Sequence, residues 1–149
     1  MKNNKMQAAL NEARLAAKAG EVPVGAAIFL SDKLISSAHN ETISRSMPDA
    51  HAEILAIRKA CEVLGDWRLS DCELYVTLEP CAMCTGTIML AKIKRLYFGA
   101  YDAQSGVCGG KIDITRENLF GSNLEVYGGI CEKECSELLS DFFSNVRNK

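Results

Sequence analysis

His51-Ala52-Glu53 and, further along the chain, Pro80-Cys81-Ala82-Met83-Cys84 supply one imidazole, two thiols and a carboxylate at spacings suited to a metal. Imidazole with two thiolates is a ligand set that zinc accepts. A structural zinc site closes with four protein ligands, whereas a hydrolytic one keeps a position for water. His51, Cys81 and Cys84 are therefore the expected ligands of a catalytic zinc, and Glu53 is left over to carry protons between water and substrate. A redox Cys-x-x-Cys is the competing reading of Cys81 and Cys84, but it leaves the pairing of His51 with Glu53 without a purpose.

Helix starts must position these groups. Pro48 and Asp49 precede an apolar-periodic run, Ala50, Ile54, Leu55, Ile57 and Cys61. The run predicts a helix with Asp49 as N-cap and with His51 and Glu53 in its first turn. Pro80 suits a first helical position, so Cys81 and Cys84 are expected together in the first turn of a second helix. Two helix N-termini aimed at one metal favour thiolate over thiol.

Around them, a helix is expected from about Lys5 to Ala19, and Val22–Leu30 and Lys33–Ala38 read as a hairpin turning at Ser31 and Asp32. Cys72–Leu78 and Ile93–Gly99 read as strands on either side of a helix over Ala82–Ala91. A last strand near Leu124–Tyr127 precedes a closing helix with Leu138, Leu139, Phe142 and Val146 at core spacing. The alternation predicts an α/β domain with one sheet covered on both faces. Gly106, Gly109 and Gly110 mark a loop whose spacing fits no P-loop.

At 149 residues the chain is sized for one domain spanning 1–149. No apolar stretch reaches the roughly 18 residues of a membrane helix, and the start lacks a signal-peptide core, so a cytoplasmic protein without membrane contact is expected. Seven cysteines, an odd number with no secretion signal, are expected as thiols. Cys61, Cys72, Cys108, Cys131 and Cys135 read as packing residues, with one of them open as a fourth zinc ligand.

At these motifs the chain resembles the bacterial tRNA-specific adenosine deaminases of the zinc-dependent cytidine deaminase superfamily, whose H-x-E and P-C-x-x-C signature is a standard example of zinc deaminase chemistry. The resemblance extends through Glu21-Val22-Pro23-Val24-Gly25-Ala26, Asn40, Asp66-Trp67-Arg68-Leu69, Leu74–Pro80, Phe98-Gly99-Ala100 with Asp102, and Leu138–Phe143. It implies a three-layer α/β/α cytidine-deaminase-like sandwich with a five-stranded mixed sheet, one zinc per chain and a homodimer. The implied reaction is hydrolysis of adenosine to inosine at the first anticodon position of tRNA, by zinc-activated water with Glu53 moving protons.

The resemblance also gives Asn40 a role. Spacing alone reads it as a turn residue, whereas the family uses this asparagine to hydrogen-bond the target base. Glu79 reads equally as a helix-start charge or as a substrate orienter, and Asp102 as a substrate-side loop residue. Phe142 and Phe143, adjacent on a helix, cannot both face inward, which leaves one to stack on RNA.

A net charge of −2 is unusual for an RNA binder. Lys92, Lys94, Arg95 and Arg147, with Arg45 and Lys149, are expected to form a local basic rim on phosphates, against the default of solvated surface charge. The chain departs from its family at Gln104, Lys92 and Gly110, where lysine, arginine and serine are usual. The rival readings are a zinc deaminase of free guanine or cytosine and a non-catalytic zinc-stabilised RNA-binding module. The segments Asp66–Leu69, Asp102 and Phe142-Phe143 argue against the first, and the surplus Glu53 against the second.

Overall fold

A computed structural model describes residues 2–147, the side chain of Arg147 excepted. Among these residues five strands make one sheet in the order β2-β1-β3-β4-β5. β1 (Gly25–Leu30) and β2 (Lys33–His39) form the expected antiparallel hairpin, β1 pairs antiparallel with β3 (Cys72–Leu78), and β3, β4 (Arg95–Ala100) and β5 (Glu125–Tyr127) run parallel. The sheet is thus mixed and five-stranded, as the resemblance implies. β1 starts three residues later than its apolar run, because Pro23 cannot donate to a ladder and Val22 and Val24 are spent on a tight turn.

Strand alternation sends side chains to two cores. Ala26, Ile28, Leu74, Val76, Leu96 and Phe98 face α3 (Ala52–Leu64) and α4 (Ala82–Leu90). Ala27, Phe29, Tyr75 and Tyr97 face α1 (Lys2–Lys18) and α5 (Glu132–Arg147). The result is the three-layer α/β/α sandwich. Tyr75, Tyr97 and Tyr127 stack across β3, β4 and β5, with centroids 4.5 and 5.2 Å apart.

Two glycines set how closely the outer helices approach. A Cβ on Gly25 would lie 2.0 Å from the Ala9 carbonyl oxygen of α1, and one on Gly99 would lie 2.3 Å from Cys135 Sγ of α5. Neither close approach is possible with a side chain in place.

Parallel β3 and β4 decide where chemistry collects. Their carboxyl ends open side by side, β3 into Glu79-Pro80-Cys81 and β4 into the loop that starts at Tyr101. Lys92, Lys94 and Arg95 stand at the other end of β4, roughly 17 Å of strand away. Lys92, Lys94 and Arg95 thus do not border the cavity that opens at the carboxyl ends of the strands. Arg95 is paired with Glu73 and Glu125, Lys92 Nζ donates to the Phe120 carbonyl, and Lys94 is solvated.

Candidate active site

His51 and Cys81 are both N-cap residues with extended backbone, at φ/ψ of −80/152° and −77/176°. The first motif therefore starts its helix at Ala52, two residues later than Asp49 as N-cap implies, while the second starts at Ala82, as the apolar run Ala82–Ala91 suggests and two residues after Pro80. Neither N-cap side chain bonds its own helix, so both are free to turn toward one another. Cys84, three residues into α3's neighbour α4, is buried beside them.

The distances fit zinc. His51 Nδ1 lies 3.7 Å from Cys81 Sγ and 3.4 Å from Cys84 Sγ. A tetrahedral centre with bonds of about 2.3 Å to sulfur and 2.0–2.1 Å to nitrogen separates such ligand atoms by about 3.6 Å. Among the described residues His51, Cys81 and Cys84 are the group that could hold a metal. The other cysteines are engaged elsewhere: Cys108 Sγ meets Thr85 Oγ1 at 3.1 Å, Cys72 and Cys135 are core, and Cys61 and Cys131 contact backbone carbonyls.

Electrostatics point the same way. Hydrogen bonds to Cys84 and His51 pull the Cys81 thiol down to about 4. The Cys81 side chain and burial push the Cys84 thiol far above its usual range. Two sulfurs this close cannot both be anionic on their own, and a divalent cation between them would hold both as thiolates. Both helix N-termini add partial positive charge at the same place.

Glu53, in the first turn of α3, is 4% exposed, and burial pushes its carboxyl up to about 7. A carboxyl in that range both accepts and returns protons near neutrality. Glu53, His51 and Cys81 share a cavity of about 370 Å³ whose walls include Val22, Asn40, Thr42, Asp102 and Ser105. Such a volume suits a small ligand or a single base.

Each wall of the cavity is fastened by a buried carboxylate. Glu79, 2% exposed, accepts the backbone N–H groups of Asp102, Cys108 and Gly110 at 3.0, 2.9 and 3.0 Å. Its side-chain oxygens are committed to the loop, an anchoring role the sequence reading did not give it, and the residue also lines the cavity. Asp102 caps the same loop, its Oδ1 accepting from the N–H groups of Gln104 and Ser105. Opposite, Glu21 is 1% exposed and accepts from Ile43 and Ser44 N–H at 3.0 and 2.7 Å. Burial raises its pKa, but these donors outweigh that and leave it lowered. Sequence reading gave Glu21 and Thr42 no role; an acid at the head of an apolar run was the one available signal.

Phe142 is half-buried and Phe143 exposed, their rings edge-to-face at 5.5 Å. Phe142 lines a separate groove with Ala17, Gly20 and Leu138. His39 is not part of the metal-binding group; it pairs with Glu12 at 2.8 Å. The side chain of Arg147, and Lys149, lie outside the described residues.

Comparison with known proteins adds the relatives. The MafB19-like deaminase family model matches residues 1–147. The chain is 44% identical over 146 residues to the tRNA-specific adenosine deaminase of Bacillus subtilis (strain 168), covering 97% of this chain and 89% of that one. It is similar, at TM-score 0.84 and 41% identity over 91% of this chain and 99% of the other, to a solved structure from a study of A-to-I editing by tRNA:A34 deaminases at the wobble position of transfer RNA. A guanine deaminase from Nitrosomonas europaea superposes at TM-score 0.84 with 25% identity, over 95% of this chain and 84% of that one.

Proposed function

The chain belongs to the MafB19-like deaminases and, within them, to the tRNA-specific adenosine deaminases, and from that premise we propose that it converts adenosine to inosine at the first anticodon position of tRNA. The observation that carries the reading is the convergence of a zinc-fitting His51-Cys81-Cys84 group, buried Glu53 and Asn40 on one base-sized cavity.

His51, Cys81 and Cys84 would hold one zinc ion, which when bound supplies a Lewis acid that makes water a nucleophile near neutral pH. Glu53 takes a proton from the attacking water and delivers it to the adenine ring as C6 is attacked. It then carries a proton to the departing amino group, which leaves as ammonia. Asn40 holds the base edge, and the Glu79-anchored loop with Asp102 and Ser105 closes the opposite wall. The target base must leave its stack to enter, which suits an anticodon loop.

The same reading extends to the whole chain. Residues 1–149 act as a single deaminase domain, in the cytoplasm, where tRNA is processed. Phe143 and the half-buried Phe142 offer a stacking surface for unpaired bases. Among the described residues no helix is long and apolar enough to cross a membrane. A homodimer is supported by exposed Met83 and Leu90, seven apart on α4, together with Leu119 and Phe120.

The deciding experiment offers the zinc-loaded protein total tRNA, an anticodon stem-loop with adenosine at its first position, free guanine and free cytosine, and measures inosine and ammonia. Inosine in the RNA is expected. Ammonia from guanine or cytosine with no inosine in any RNA would keep the zinc chemistry and overturn the substrate.

A further inference from the structure

Asn40 has an amide whose two ends do opposite things, so its orientation decides what the cavity wall offers a base. Two neighbours of fixed polarity settle that orientation. The backbone N–H of Thr42 can only donate, and it lies 3.2 Å from one end of the carboxamide. The carbonyl of Val22 can only accept, and it lies 3.4 Å from the other end. The oxygen therefore faces Thr42 and the amino group faces Val22.

Thr42 completes the arrangement through its side chain. Its hydroxyl donates to the same Asn40 oxygen at 2.6 Å, so both lone pairs of that carbonyl are occupied. The amino group has two hydrogens and one partner, Val22. What remains to Asn40 for a ligand is a donor. Asn40 and Thr42 both line the cavity, and the segment that carries Thr42 is held to the body by buried Glu21 through Ile43 and Ser44. The link is therefore not a floppy surface turn.

We propose that Thr42 is a positioning residue that locks the Asn40 amide with its amino group toward the substrate, so that the wall selects a base presenting a ring acceptor there. The proposal rests on the adenosine reading above and deepens it. With N1 taken by the proton from Glu53, adenine still offers N3 and N7 as ring nitrogens that only accept, and a hydroxyl-locked donor matches either while leaving the Asn40 oxygen closed to a wrong edge.

The test pairs a protein change with a base change. Thr42→Val keeps the shape and removes the hydroxyl donor, and Thr42→Ser restores it. Stem-loops carry adenosine, 3-deaza- or 7-deazaadenosine at the target position, N1 being kept because Glu53 must protonate the ring there, and kcat and KM are measured for each. Thr42→Val should lower kcat/KM on adenosine roughly 3- to 10-fold, the effect of one neutral hydrogen bond. Thr42→Ser should recover most of that loss, with thermal stability of both variants near wild type. One deaza position should lower wild-type activity, and Thr42→Val should be less sensitive to that same position, which is the coupling a merely structural role would not give. If Thr42→Val and every deaza substitution simply multiply, the positioning role falls while the adenosine reading stands. If the wild type converts neither adenosine nor any analogue in RNA, the functional reading falls and takes this inference with it.

Discussion

The Glu79 carboxylate and Gly106 occupy adjoining space so tightly that a Cβ on Gly106 would stand 2.4 Å from Glu79 Oε1 and 2.7 Å from the Asp102 carbonyl oxygen. Gly106 and Gly110 are therefore small because the backbone wraps a buried carboxylate, whereas Gly109 between them is at a φ of 117°, where a side chain would be strained.

Gly106→Ala should displace the loop or the carboxylate and loosen Asp102 and Ser105. We expect a loss of about 1–3 kcal/mol in stability, as for overpacking elsewhere, with a rise in KM for RNA. Urea unfolding and steady-state kinetics measure the two. Wild-type values in both would mean the loop has room that the geometry denies it.

Metal removal provides the second expectation. Chelation should abolish deamination and lower the melting temperature, because the ligands join the starts of two helices, and added zinc should restore both. Metal analysis should give about one zinc per chain for wild type and little for Cys84→Ala. A fully active protein without metal would overturn the ligand assignment.

Glu53→Ala should retain zinc and RNA affinity yet lose about 10²–10⁴-fold or more in kcat, since general acid–base catalysis is typically of that size and this residue serves several transfers. Single-turnover kinetics with a filter-binding control separates the two properties. Activity within a few-fold of wild type would remove Glu53 from the mechanism.

Glu21 gives a pH expectation with a definite sign. Its folded pKa is lowered below 4.5, because N–H donors outweigh the burial that would raise it. The stabilisation is therefore present above about 4.5 and is lost as pH falls through the lower folded value. Glu21→Gln should be less stable than wild type at neutral pH, with the gap narrowing in acid. Denaturation midpoints across pH 3–7 would show it, and a gap independent of pH would contradict it.

Salt dependence tests which basic residues meet RNA phosphates. Arg45 stands on the short helix Thr42–Arg45 whose Thr42 and Ile43 line the cavity, whereas Lys94 stands at the opposite end of the sheet. Arg45→Ala should flatten the slope of log affinity against log salt by up to about 0.7, the value for one phosphate contact on a single strand, and Lys94→Ala should leave it unchanged. The reverse result would place the RNA track at the far end of the sheet.

The meeting of His51, Cys81 and Cys84, with Glu53 beside them, was legible in the sequence because each motif is local. Ligand types, a two- or three-residue spacing and a helix start fix which side chains can meet at a metal, and the alternation of apolar runs fixes one sheet between two helical layers. What tertiary structure alone decided involves residues far apart in the chain. Glu79 reaches Gly110 across 31 positions and Glu21 reaches Ser44 across 23, so neither carboxylate's partner has a spacing to read. Lys92, Lys94 and Arg95 follow the cysteine helix closely in sequence, yet the parallel pairing of β3 with β4 carries them to the end of the sheet away from the cavity. Proximity along the chain survives folding within a turn or two of helix. Beyond that, strand direction decides which loops become neighbours.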